Sequence, residues 1–98
     1  MEIKTNIKGG IVYEVKQYKY VVAGKVMADI EILVFGENSF GNQAKIYTYE
    51  DGSQEVLNEI STAKTYESEQ LALNAIVMEV EKAISNSKLV KEVSKHEI

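Results

Sequence analysis

The chain has 98 residues, no cysteine, one histidine and 11 basic side chains that are all lysine, against 15 acids, for a net charge of −4. Without cysteine there are no disulfides, thiolate zinc sites or thiol nucleophiles, and without arginine there is no planar fork to grip phosphate, carboxylate or guanine by two bonds at once. No apolar run is long enough to span a membrane and no basic stretch leads into an apolar one, so residues 1–98 read as one cytoplasmic domain with no membrane partner.

Charge is uneven along the chain. Residues 1–28 carry five lysines against Glu2 and Glu14, residues 29–81 carry eleven acids against Lys45 and Lys64, and residues 82–98 carry four lysines against Glu92 and Glu97. An acidic middle therefore lies between mildly basic ends.

The opening "MEIKTNI" alternates Met1, Ile3, Thr5 and Ile7 with Glu2, Lys4 and Asn6, the period of a half-buried strand. A loop at Lys8-Gly9-Gly10 with a left-handed glycine pairs Ile7 with Ile11, Thr5 with Tyr13 and Ile3 with Val15. The next strand changes parity, since Ile11, Tyr13 and Val15 are odd whereas Tyr18, Tyr20 and Val22 are even, and a bulge near Lys16-Gln17 reconciles them. With a loop at Ala23-Gly24-Lys25, the third strand sets Val26 beside Val22, Ala28 beside Tyr20 and Ile30 beside Tyr18. Beyond the bulge it sets Ile32 beside Val15 and Val34 beside Tyr13, with Leu33 and Phe35 on the opposite face.

Asp51-Gly52 between alternating runs is a type I′ hairpin signal, and both Tyr47 with Val56 and Ile46 with Leu57 fit as its inward pairs. From Thr65 the period lengthens. Leu73, Ile76, Val77, Val80 and Ile84 form the stripe of an amphipathic helix with Thr65 or Ser68 as its cap, and Ser85 to Ser87 end it. "KLVKEVSKHEI" fits a strand or a short helix, and its Val, Leu and Ile content favours a strand. The expected fold is α+β: an antiparallel β-meander of about five strands, one helix packed on one face, and a C-terminal strand.

Gly36 and Gly41 are spaced like the glycines of a phosphate loop, but Asn42-Gln43 and a strand follow where that loop needs Lys, Ser or Thr and a helix. They read as punctuation between strands, with Phe40 as the large apolar side chain of that connection. His96 sits at a chain end that positions a general base poorly. Glu50, Asp51, Glu55 and Glu59 cluster around a tight turn, where carboxylates stay hydrated. No catalytic residue, metal site or cofactor is assigned.

Two surfaces remain. Lysines interleave with Tyr13, Tyr18 and Tyr20 in the N-terminal hairpin, which makes Lys16, Lys19 and Lys25 the candidates for tracking a single-stranded or RNA backbone. The register turns those tyrosines towards the core, and the net charge opposes polyanion affinity. On the helix, Leu71, Ala75 and Met78 form a second apolar stripe opposite the first, which calls for another layer, a partner, or the chain's own C-terminal segment to cover it. The leading expectation is a non-enzymatic binding module, a regulator or inhibitor, acting by homo-oligomerisation or by docking on another protein through Leu71, Ala75, Met78 and Phe40. Nucleic-acid binding is the alternative.

Overall fold

The computed structural model describes residues 5–95. Strands β1 (Glu14–Val22), β2 (Lys25–Gly36), β3 (Ser39–Glu50) and β4 (Ser53–Ile60) form one antiparallel sheet in the order β1-β2-β3-β4, followed by helices α1 (Glu69–Ile84) and α2 (Lys88–Lys95). The fold is α+β, with four strands among the described residues instead of about five.

Two-residue turns join the strands. Ala23-Gly24 (φ +50° and +79°) and Asp51-Gly52 (φ +50° and +83°) take left-handed conformations at both positions, the type I′ geometry whose twist matches the flanking strands. Between β2 and β3 the turn is Glu37-Asn38, so Gly36 ends one strand and Gly41 lies inside the next.

Helix α1 crosses one face of the sheet. Ala28, Ile30 and Ile32 from β2, Ala44 and Ile46 from β3, and Ala72, Ile76, Val80 and Ile84 from α1 are all buried and form the core, with Leu73 and Val77 packed at its margin. Ser68 caps α1 by accepting from the Leu71 amide, and Ser85 closes it. Ile76, Val80 and Ile84 of the expected stripe are buried, but Ala72 completes the buried row and Leu73 and Val77 lie at its margin.

Several expectations are corrected. Residues 5–13 form no strand, and Met1–Lys4 of the expected first strand lie outside the described residues. Gly9 does take the left-handed conformation and the Gly10 amide donates to Ile7, but Ile7 and Ile11 are 78% and 74% exposed. The helix contacts β2 and β3 and reaches β1 only from Lys16 onward, so no layer exists for an earlier apolar face to bury against.

The bulge near Lys16-Gln17 is absent. Glu14 pairs with Val34, Val15 with Leu33, Lys16 with Ile32, Tyr18 with Ile30 and Tyr20 with Ala28 in unbroken register. Lys16 takes the inward position by extending its amine to Glu69, 2.7 Å away, which removes the need for a parity change. The extra residue is Met27 in β2, and with it the turn shortens so that Val22 faces Lys25 instead of Val26. In the second hairpin Tyr47 pairs with Val56, but facing away from the helix, with Val56 57% exposed, whereas the buried Ile46 pairs with Asn58 because β4 bulges at Leu57.

The C-terminal strand is a helix, α2. The break between α1 and α2 spans only Ser85 to Ser87, too short to carry the chain to a sheet edge. Ser87 starts the new helix by accepting from the Val90 and Lys91 amides, and Leu89 and Val90 tuck half-buried against the core. His96 lies outside the described residues.

Candidate interaction surfaces

Among the described residues no layer covers the face of the sheet opposite α1, and the strand registers set its side chains in rows across the sheet. One row is apolar: Val15, Leu33 and Gly41. Phe35, displaced from the ladder by an irregularity at the end of β2, lays its ring over Gly41 so closely that a Cβ there would sit 2.8 Å from Phe35 Cε2. Tyr13 tilts against the same ring at 5.2 Å between centroids and 56° between planes. Phe35 remains 47% exposed, and Tyr13 and Val15 are exposed as well.

The next row is Gln17, Glu31 and Gln43, with the Gln43 amide donating to Glu31 at 2.5 Å. Beyond it Lys19, Asp29, Lys45 and Glu59 run across all four strands with alternating charge. Lys19 Nζ lies 2.6 Å from Asp29 Oδ1, and Lys45 Nζ lies 4.0 Å from Glu59. The Tyr47 hydroxyl donates to Asp29 Oδ2 at 2.5 Å.

These contacts explain the titration behaviour. The hydrogen bond from Lys19, then that from Tyr47, hold the Asp29 carboxyl below its ordinary range despite partial burial. The Tyr47 phenol is pushed up to about 12, first because it donates to Asp29 and second because it is partly desolvated. The charged row satisfies itself within the sheet, over a shallow depression of about 810 Å³ that it shares with Gln17, Glu31 and Gln43.

The residues singled out in the sequence are dispersed. Lys16 and Lys19 point to opposite faces of β1, the first to Glu69 beside α1 and the second to Asp29 on the uncovered face. Lys16 is raised and Glu69 lowered, each chiefly by their mutual hydrogen bond. Lys25 lies at the turn with its amine 5.0 Å from the Tyr49 ring centroid, a cation–π distance. Tyr18 and Tyr20 are half-buried on the helix side, and Tyr20 donates to Glu81 at 2.8 Å. Tyr13, expected on that side, stands beside Phe35 instead.

Leu71 and Met78 project from α1 and are 52% and 59% exposed, with Ala75 half-buried between them. Met78 and Ala75 line a shallow groove with Thr62, Lys64 and Tyr66. Phe40 is set apart from this stripe. It is half-buried against the core and exchanges backbone hydrogen bonds with Tyr66 at 2.9 and 2.8 Å.

Asn42 is a residue that the sequence reading passed over. It is buried, donates from Nδ2 to the Ala72 carbonyl at 2.9 Å, and accepts at Oδ1 from both the amide (3.1 Å) and the hydroxyl (2.9 Å) of Thr62. It ties the β4–α1 connection to the first turns of the helix. Polar residues at inward strand positions are the signal that would have found it, because a buried amide needs partners.

Among the described residues, no three His, Asp or Glu side chains gather in a metal-binding group, and no helix is long and apolar enough to cross a membrane. The chain matches no protein-family model, and comparison with curated proteins and with solved structures finds no match.

Proposed function

We propose that the chain is a small non-enzymatic module that works by contact with protein, through the uncovered face of its sheet. The observation that carries this reading is the apolar end of that face, where Tyr13, Val15, Leu33 and Phe35 gather. Contiguous apolar surface rimmed by polar rows marks an interaction site more often than a solvated face does. Leu71 and Met78 offer a second, smaller surface on the far side of the molecule.

The positions of the lysines favour protein over nucleic acid as the partner. Phosphate tracking needs unpaired cations along one face, whereas Lys16 and Lys19 each hold a carboxylate and face opposite ways.

The test is a Val15→Glu, Phe35→Glu double variant that retains the wild-type circular dichroism spectrum. We expect the wild type to associate, with itself or with another chain, in cross-linking and sedimentation, and the variant to lose that association. A wild type that binds single-stranded RNA with a steep salt dependence and makes no protein contact would overturn the reading.

A further inference from the structure

We propose that the protein forms a two-fold dimer in which the uncovered sheet faces of two copies stack with their strands aligned. The proposal rests on the reading that this face is a contact surface, and it names the occupant. The alternating row Lys19, Asp29, Lys45, Glu59 supplies the argument, because it is its own complement when reversed.

Consider a two-fold axis that runs along the strands, midway between β2 and β3 and between the two sheets. It reverses every row onto itself. Lys19 then meets Glu59 of the second copy, and Asp29 meets Lys45 of the second copy, so four opposite-charge contacts form from one row. In the adjacent row Glu31 meets Gln43 of the second copy, a carboxylate opposite an amide donor. In the apolar row Leu33 of the second copy meets the Phe35 ring that lies over Gly41, apolar against apolar.

The competing arrangement places the axis across the strands. Drawn through the charged row, that axis stacks it like on like, Lys19 over Lys19 and Asp29 over Asp29, and is disfavoured by repulsion. Charge pattern therefore favours the axis along the strands over that one. Side chains of facing sheets interdigitate across a gap of about 10 Å, and the long Lys, Glu and Gln side chains of the second copy fit the shallow depression over these rows. Strand spacing and rise make the face roughly 20 by 20 Å. At about 400 Å² per copy this falls below the range of stable interfaces and in the weak, transient class, so the dimer dissociates on dilution.

Charge-swap complementation tests the geometry. Lys19→Glu alone sets two glutamates against each other twice in its own dimer, and Glu59→Lys alone does the same with lysines. In the mixed dimer both contacts are opposite in charge. Sedimentation velocity across a dilution series is expected to show a wild-type dimer, self-association weakened at least about tenfold in each single variant, and recovery in the equimolar mixture. The pair Lys45→Glu and Asp29→Lys makes the same demand at the inner contacts and serves if either outer variant fails to fold.

A wild type that is monomeric at every concentration overturns the dimer, as does a mixture no tighter than the single variants. A dimer lost only on Leu71→Glu with Met78→Glu also overturns it, in favour of the helix. If the wild type is monomeric yet still binds another protein through Val15 and Phe35, the dimer fails while the contact-surface reading stands. If neither association occurs, both fail.

Discussion

The Asn42 side chain makes three hydrogen bonds from a buried position, and its loss can be worked through from them. In Asn42→Ala the Thr62 amide and hydroxyl lose an acceptor. The Ala72 carbonyl loses its second donor but, as an interior helix carbonyl, keeps its place in the helical ladder. At about 1 kcal/mol net for each neutral hydrogen bond, the expected cost is about 2–3 kcal/mol. For a domain of this size that corresponds to a fall in melting temperature of about 10–20 °C.

Asn42→Asp separates the hydrogen-bond argument from mere loss of packing. A carboxylate retains the acceptor for Thr62 but aims an oxygen at the Ala72 carbonyl in place of the Nδ2 donor, in a buried site. Both effects penalise the charged form, so the folded-state pKa rises above the unfolded value of about 3.9. A carboxyl whose pKa rises on folding destabilises fully above its folded pKa, and the penalty fades as pH falls through that value, because the neutral acid can donate to Ala72. Urea unfolding at pH 7 should rank wild type above Asn42→Ala and Asn42→Ala above Asn42→Asp, and at about pH 4.5 the Asp variant should close on the wild type. Three proteins of equal stability at pH 7, or an Asp variant whose gap from wild type does not narrow in acid, would refute the reasoning.

Three further outcomes follow from the same structure. The phenol of Tyr47, pushed up to about 12 by donating to Asp29, has a raised folded pKa, so its contribution to stability is present below the ordinary tyrosine range and is lost as pH climbs towards that value. Tyr18 and Tyr20 are raised as well, so phenolate absorbance should show a late-titrating phase whose last component Tyr47→Phe removes, and tyrosines that all ionise together would contradict it. Ala23 carries a left-handed φ of +50° next to Gly24, so Ala23→Asn should raise stability by about 0.5–1 kcal/mol in urea melts, and a loss of stability would count against the type I′ assignment. Leu71→Glu with Met78→Glu should leave the unfolding midpoint within about 0.5 kcal/mol of wild type, because both side chains are already more than half exposed; a clear drop would mean that some part of the chain covers them.

Where one sequence window held the whole signal, the fold was legible. Ser68 and the stripe from Leu73 to Ile84 report a capped amphipathic helix, and Asp51-Gly52 reports a type I′ turn, because the residues that make each feature are neighbours in the chain. The pairs Tyr18 with Ile30 and Tyr20 with Ala28 were also legible, since a short turn limits the registers available. The ends of the chain were not. Alternation in residues 5–13 and apolar content in residues 88–95 state that side chains suit a half-buried setting, but which layer supplies that burial is decided by where α1 lies and how short the link to α2 is.

The candidate site depended on register in a way that single residues conceal. Lys19, Asp29, Lys45 and Glu59 are far apart in sequence, and they become one alternating row only when three strand pairings are known together. The Tyr18–Ile30 pair alone already sets Lys19 beside Asp29, so the first contact of the row was available from the sequence. The lysine surface illustrates the reverse case. Lys16 and Lys19 are three residues apart, and in an unbulged strand such residues face opposite ways. Placing both on one face requires an extra residue between them, as a bulge at Lys16-Gln17 would supply. With β1 regular, Lys16 turns inward to Glu69 and Lys19 turns outward to Asp29, and each lysine meets a carboxylate on its own side of the sheet. The missing bulge and the divided lysines are therefore one observation: the strand that keeps its parity separates the cations that a phosphate backbone would need in line.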